Sequence, residues 1–401
     1  MTVDFFEDLL KKPSIFRDES SLDINFIPEK LPHREKELSL LSQLFLILLT
    51  HPNSISRKIL ITGKTGIGKT ATVKLFGQML LNASKKRDIS IKYVHINCRK
   101  EKTSYKVLIK VIRSLNKSFP KRGFSPQDLL EIIIDFLDNQ NLYLLIVLDE
   151  LNYLMHSNGD LIYSLTRIND DSLYSPQRVS IIGIVRDISC LNNLDASTLS
   201  TLQRNIINFK MYSKSQISEI LRYRAEISIK ANGFTDDILD MIADLVLKDG
   251  DIRYGLNILW RAGKIAESKS LKCITPECVR LGNQDSVTFS AQDSLKFMSS
   301  QKLIFLLSVI KGLKKSKEAQ ISITKILELH EIICESLNRK PRSYSQLWNY
   351  LQEFKRENIV SVNIKSESIK GRKAFINIQD KGLYKLEANI IDLLNSKGIN
   401  F

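Results

Sequence analysis

Residues 63–70 read GKTGIGKT and follow directly on the short apolar run KILIT, a pairing that restricts the fold more than any other feature of the chain. The spacing fits G-x-x-x-x-G-K-[ST] through Gly63, Gly68, Lys69 and Thr70, with Gly66 as an additional glycine. Glycines so placed let backbone N–H groups turn inward around phosphate oxygens. The lysine then reaches the outer phosphates and the hydroxyl holds Mg2+. Gly63, Lys64, Thr65, Gly66, Ile67, Gly68, Lys69, Thr70 and Ala71 are therefore expected to cradle ATP or ADP, backed by the positive end of the following helix. Such a loop needs a strand before it and a helix after it. RKILIT (57–62) supplies the first, and KTATVKLFGQMLLNAS, with its helical apolar spacing, supplies the second.

IKYVHINC (91–98), NLYLLIVLDE (141–150), VSIIGIV (179–185) and NIINFKM (205–211) add four further strand candidates with helical stretches between them. Apolar runs joined by helices predict an α/β fold, a parallel sheet covered on both faces. The run LLIVLDE ends in two acids. Asp149, at a strand's carboxyl end, is expected to hold Mg2+ together with Thr70, and Glu150 to polarise an attacking water.

From about Ser213 the strands stop. SKSQISEILRYRAEIS and the stretch 234–268 read as amphipathic helices, with Ser213 and Thr235 at helix starts. The stretch 273–287 carries a proline and a glycine and reads as a connector. Beyond about Ser290 lie three helical patterns and then two short strands, VSVNI and AFINI, joined by KSESIKGRK (365–373). That order is the order of a winged helix-turn-helix. Residues at the start of its third helix, Arg342, Tyr344 and Gln346, are expected to face bases and phosphates in the major groove. Lys370, Arg372 and Lys373 at the hairpin tip are expected to grip the minor groove or its phosphates.

Charge supports a nucleic-acid partner. The 401 residues hold 59 Lys and Arg against 44 Asp and Glu, a formal charge of +15. A surplus of that size points to a polyanion, nucleic acid before an anionic membrane. No stretch reaches the roughly 18–20 apolar residues of a membrane span, and the acids near the amino terminus do not fit a signal peptide. The expectation is a cytoplasmic, nucleoid-associated protein, its five scattered cysteines reduced.

These motifs together resemble the AAA+ ATPases, and among them the archaeal origin-recognition and cell-division-control replication initiators. FIPEKLPHRE (26–35) is similar to the family's adenine-side segment, and INFKMYSKSQISEILRYRAE to its entry into a helical lid. The resemblance implies nucleotide contacts for Tyr212 and Arg224. GDIRYGLNILWRAGKIAE (250–267) resembles the lid helix carrying a second sensor, which implies a γ-phosphate contact for Arg253. It implies three parts: residues 1–212 as the AAA+ domain, 213–283 as the lid and 290–401 as the winged helix. It also implies an inserted element after the second strand that touches DNA, where Arg99, Lys100, Lys102, Lys121 and Arg122 are candidates.

Two departures bear on activity. The family's first sensor usually reads IGI-x-N-D, and here the stretch is IIGIVRD, with Arg186 at the asparagine's place. A guanidinium has only donors and cannot accept from a water. Ser197 stands where the family has an arginine, and Arg204 is a candidate finger a few residues on. The expected function is origin-duplex recognition with ATP or ADP and Mg2+ as cofactors and weak hydrolysis. Paralogous initiators and the replicative helicase are the expected partners, with no membrane. The alternatives are a regulator or repressor that keeps nucleotide as a structural cofactor, and a motor-like AAA+ ring.

Overall fold

The computed structural model describes residues 14–399 apart from 53, 156–158, 169–175, 194–199, 201–204, 248–249, 285–294, 297, 317–319, 357–358, 368–370 and 379–382. Two compact units divide the chain, Met1–Gln284 and Asp285–Phe401. Ser197, Arg204 and Lys370 lie outside the described residues.

In the first unit α1 (Glu35–Phe45) precedes β1 (Lys58–Thr62), α2 (Lys69–Lys85), β2 (Ile91–Asn97), α3 (Ser104–Leu115), α4 (Pro126–Asn139), β3 (Tyr143–Asp149), α5 (Gly159–Arg167), β4 (Val179–Ile184) and β5 (Ile206–Asn208). Among the described residues these five strands form one sheet in the order β2-β3-β4-β1-β5, and each neighbouring pair is parallel. Parallel pairing forces crossovers, and the helices provide them on both faces. Side-chain alternation divides β1 accordingly. Ile59 and Ile61 join Val73 and Phe76 of α2 in one core, while Leu60 joins Val107, Leu108 and Ile133 of α3 and α4 in the other. β3 is buried along its whole length, as its unbroken apolar run requires. Its register sets Asp149 beside Asn97, so the acid emerges at the carboxyl edge of the sheet.

The chain then turns helical: α6 (Lys214–Ser228), α7 (Asp236–Leu247), α8 (Ile252–Ser268) and α9 (Pro276–Gln284). Ser213 starts α6 through a reciprocal cap with Gln216. The expected connector at 273–287 is instead largely α9. Pro276 occupies the first helical position, where no backbone donor is needed. Gly282 lets α9 approach α8 closely, since a Cβ there would lie 3.3 Å from the Ala262 nitrogen. Residues 14–18 lace onto these helices through Arg17 N–H to Ser228 O at 2.8 Å and Lys230 N–H to Ile15 O at 2.9 Å.

The second unit contains α10 (Ser300–Lys315), β6 (Ile321–Ser322), α11 (Ile323–Ser336), α12 (Tyr344–Arg356), β7 (Ser361–Glu367), β8 (Gly371–Asn377) and α13 (Leu383–Ser396). The strands pair antiparallel in the order β6-β8-β7. Phe305, Leu351, Phe354, Ile376 and Ile390 build its core. The sequence expectation of two short strands around a nine-residue tip is corrected here. Pairing continues through Lys365 opposite Lys373, Ser366 opposite Arg372 and Glu367 opposite Gly371. β6 and α13 are further elements that the sequence reading did not contain. No helix among the described residues is long and apolar enough to cross a membrane.

Candidate nucleotide site and nucleic-acid surfaces

The loop between β1 and α2 turns on left-handed glycines. Gly66 has φ 77° and Gly68 φ 90°, conformations costly to any residue with a Cβ. Space enforces the same choice: a Cβ on Gly66 would run into the Asp251 carboxyl, and one on Gly68 would lie 2.9 Å from the Tyr212 hydroxyl. Lys69 opens α2 and is only 8% exposed. Its Nζ turns back onto the Gly63 carbonyl and, at 2.6 Å, the Lys64 carbonyl. Burial pulls its pKa down to about 8. Glu150 and Asp149 oppose that fall, and Arg186 and Arg253 add to it. Four charged groups, at or just past the ends of β3 and β4 and at the start of α8, thus share the neighbourhood of the loop lysine.

Asp149 is 6% exposed, and each of its oxygens has a partner. Oδ2 accepts from Thr70 Oγ1 at 2.9 Å and meets His95 Nε2 at 3.0 Å, while Oδ1 accepts from the Glu150 N–H at 2.9 Å. Burial pushes its pKa up, but the His95 and Thr70 contacts and the Glu150 amide outweigh that and hold the carboxyl below its usual range. Glu150 sits at φ 55°, a rare conformation for a residue with a long side chain. Its carboxylate is engaged by Arg186, with Nε to Oε2 at 3.2 Å and Nη2 to Oε1 at 3.4 Å. The sequence marked Arg186 as a departure but gave no sign of this partner.

The lid helices reach the loop from the other side. Asp251 caps α8 by accepting from Arg253 N–H at 3.0 Å, and Ile252 N–H donates to Gly66 O at 3.2 Å. Arg253 therefore lies at the helix start that touches the loop. Tyr212 stands over Gly68 with its ring 4.0 Å from the Arg34 guanidinium carbon. Arg34 has no role in the sequence reading, yet it links three segments. It donates to Ile67 O at 3.1 and 2.9 Å and to Lys210 O at 2.8 Å, and pairs with Glu37 at 2.8 Å. It lies in the FIPEKLPHRE stretch, but only the fold shows which carbonyls it reaches. Arg224 is buried and donates to the carbonyls of Ser21 and Asp23, with Phe26 beneath its guanidinium at 5.2 Å. The structure thus places it on the amino-terminal segment.

These residues fit a nucleotide with Mg2+. The turn has left-handed positions at Gly66 and Gly68 that suit glycine, and it holds a lysine whose positive charge burial disfavours. The hydroxyl and carboxylate of Thr70 and Asp149 are hard oxygen donors already 2.9 Å apart. Among the described residues no group of three His, Cys, Asp or Glu could hold a metal alone.

Arg342, Tyr344 and Gln346 are exposed at the start of α12, and Tyr344 stacks on Trp348 at 6.3 Å. Leu347, Leu351 and Phe354 of the same helix are buried in the core. Arg372 and Lys373 lie on β8, and their side chains are outside the described set. In the first unit Lys100, Lys102, Lys121 and Arg122 are exposed, and Tyr105 donates to Lys121 O at 2.9 Å, joining the start of α3 to the following loop. Arg99 corrects the expectation. It is 7% exposed, with its guanidinium 5.4 Å from the Tyr153 ring, so it packs inside and offers no surface to DNA.

An AAA domain model matches residues 56–186, a Cdc6 AAA+ ATPase-type lid domain model 218–284 and a CDC6 C-terminal winged helix domain model 293–381. Over 382 residues the chain is 31% identical to ORC1-type DNA replication protein 2 of Sulfolobus acidocaldarius, covering 93% of this chain and 92% of the relative. The chain belongs to the ORC1-type DNA replication protein family. The Sulfurisphaera tokodaii ORC1-type protein 2 is 29% identical over 384 residues, covering 94% and 92% of the two chains. The Aeropyrum pernix ORC1 protein, solved in complex with DNA, shares the fold with a TM-score of 0.82 at 24% identity, over 97% of this chain and 98% of that one. The lid match runs to Gln284, the last residue of α9, which agrees with a helix where the sequence suggested a connector.

Proposed function

We propose that this ORC1-type protein initiates DNA replication by binding double-stranded origin DNA, and that its nucleotide acts as a conformational switch turned over slowly. The observation that carries the slow step is the fork of Arg186 on Glu150. A general base must offer a lone pair to the attacking water. Here both Glu150 oxygens face guanidinium donors, and Arg186 itself has no acceptor with which to place the water. In this reading Lys69 neutralises the outer phosphates, Arg253 contacts the γ-phosphate, and Thr70 and Asp149 hold the metal. Bound Mg2+ supplies charge neutralisation between the phosphate oxygens.

The contact between lid and loop supports the switch. Asp251 and Ile252 rest on Gly66, so an occupied loop and an empty one would favour different lid positions. A ligand biases shape only by its differential affinity for the two. Arg342, Tyr344 and Gln346, with Lys370, Arg372 and Lys373, would read and grip the duplex. Lys100, Lys102, Lys121 and Arg122 would add phosphate contacts. Paralogous initiators and the replicative helicase are the natural protein partners, at the nucleoid.

The same Arg186 fork favours a second reading, a DNA-binding repressor of initiation or transcription that keeps ATP or ADP as a structural cofactor. Footprinting the purified protein on its own genomic DNA, with and without ATP, tests the main proposal. Protection confined to origin sequences and changed by ATP supports it. Protection scattered over promoters and indifferent to ATP supports the repressor.

A further inference from the structure

β2 carries two residues that the nucleotide chemistry does not use, Tyr93 and His95, both facing α2 and the end of β3. His95 Nε2 lies 3.0 Å from Asp149 Oδ2, the oxygen that also accepts from Thr70. On the other side of the ring, Nδ1 lies 2.9 Å from the Tyr93 hydroxyl, which is also 3.3 Å from Val73 O. The Asp149 carboxylate can only accept, so Nε2 carries a hydrogen. The Tyr93 hydroxyl braces the ring at Nδ1, the nearer of its two partners. Burial pushes the Tyr93 phenol up, so it remains a donor. Tyr93 is itself wedged against the helix behind the phosphate loop: a Cβ on Gly77 would come 2.5 Å from its ring. The chain Gly77, Tyr93, His95, Asp149 thus runs from α2 to the acid beside Thr70.

We infer that His95 is a positioning residue for Mg2+, its Nε2–H holding one Asp149 oxygen so that the carboxylate and the Thr70 hydroxyl present one oxygen face to the hydrated ion, with Tyr93 bracing the ring from its other side. The inference rests on Asp149 and Thr70 as the metal side of the nucleotide site. Groups that orient a metal-holding carboxylate are worth about 10–100-fold in metal affinity when removed.

The test measures ADP affinity by isothermal titration calorimetry on the full chain, once with Mg2+ and once with EDTA. Wild type should bind ADP more tightly with Mg2+. Equal affinity in wild type would sink the metal reading itself, apart from any role for His95. His95→Leu should lose about tenfold of the Mg2+ advantage, while the affinity in EDTA stays within about twofold. His95→Gln, whose amide places a donor where Nε2 was, should restore most of the advantage. Tyr93→Phe, which leaves the imidazole in place, should reduce the advantage in the same direction. If His95→Leu and Tyr93→Phe weaken both conditions equally, the network only supports the fold and the inference is wrong. An unchanged Mg2+ advantage in either variant overturns it as well.

Discussion

Replacing Arg186 with asparagine should speed ATP hydrolysis, an outcome opposite to the usual effect of changing an active-site residue. The magnitude comes from the fork. Its two contacts, 3.2 and 3.4 Å, join side chains that are 29% and 23% exposed. Charge-assisted bonds in dry surroundings contribute about 1.5–3 kcal/mol and exposed pairs under about 1. Long contacts between half-buried groups fall between, at about 1–2 kcal/mol. If Glu150 must leave the pair before it accepts a proton, removing the pair lowers the barrier by that amount, about 5–30-fold in rate. Asparagine adds an amide oxygen that can accept from the water, so the upper end is expected. Single-turnover hydrolysis at saturating ATP isolates the step, and nucleotide affinity measured alongside should stay within a few-fold. Adding Glu150→Gln to Arg186→Asn should erase the gain. A lower rate for Arg186→Asn at unchanged affinity would make Arg186 a transition-state donor and refute the idea of a restrained base.

Three further outcomes follow from the same structure. Arg342→Ala should weaken duplex binding and flatten its salt dependence by about one charge unit, whereas Arg99→Ala, at a buried position, should leave the salt slope unchanged. Burial lowers the pKa of His330, which packs between Phe305, the Ser308 hydroxyl and the Cys334 thiol, so the folded chain keeps it neutral. Its stabilising share is complete above the ordinary histidine pKa of about 6.5 and is lost as pH falls below it; melting curves between pH 7.5 and 5 should drop, and less so for His330→Asn. Gly77→Ala should destabilise by about 1–3 kcal/mol through the clash with Tyr93, despite alanine's better helix propensity, as read by chemical denaturation.

Most of the frame was legible because it rests on local pattern. β3 is an unbroken apolar run, and burial on both faces is what such a run means. Ser213 three residues before Gln216 reads as a cap and is one. Pro276 suggests a connector in the sequence, yet proline, which breaks a helix in its interior, suits its first turn. The hairpin strands run past their apolar residues: lysine, serine and glutamate carry no apolar alternation, but the ladder continues through them. Charge read along one dimension grouped Arg99 with its exposed neighbours, and only packing against Tyr153 separates it. The site's long-range pairs were invisible for the same reason. Glu150 and Arg186 meet just past the ends of β3 and β4, Asp149 meets His95 across the sheet, and Arg34 reaches Ile67 and Lys210 from a helix start.

The most direct measurement is duplex affinity of the whole protein with ATP, with ADP and with neither, repeated for Lys69→Ala. The lysine is the loop's main cation, so its loss should abolish tight ATP binding. Wild type should bind origin duplex with affinities that depend on the nucleotide, and Lys69→Ala should give one affinity in all three conditions. Identical wild-type affinities whatever the nucleotide would contradict the coupling of the phosphate loop to DNA.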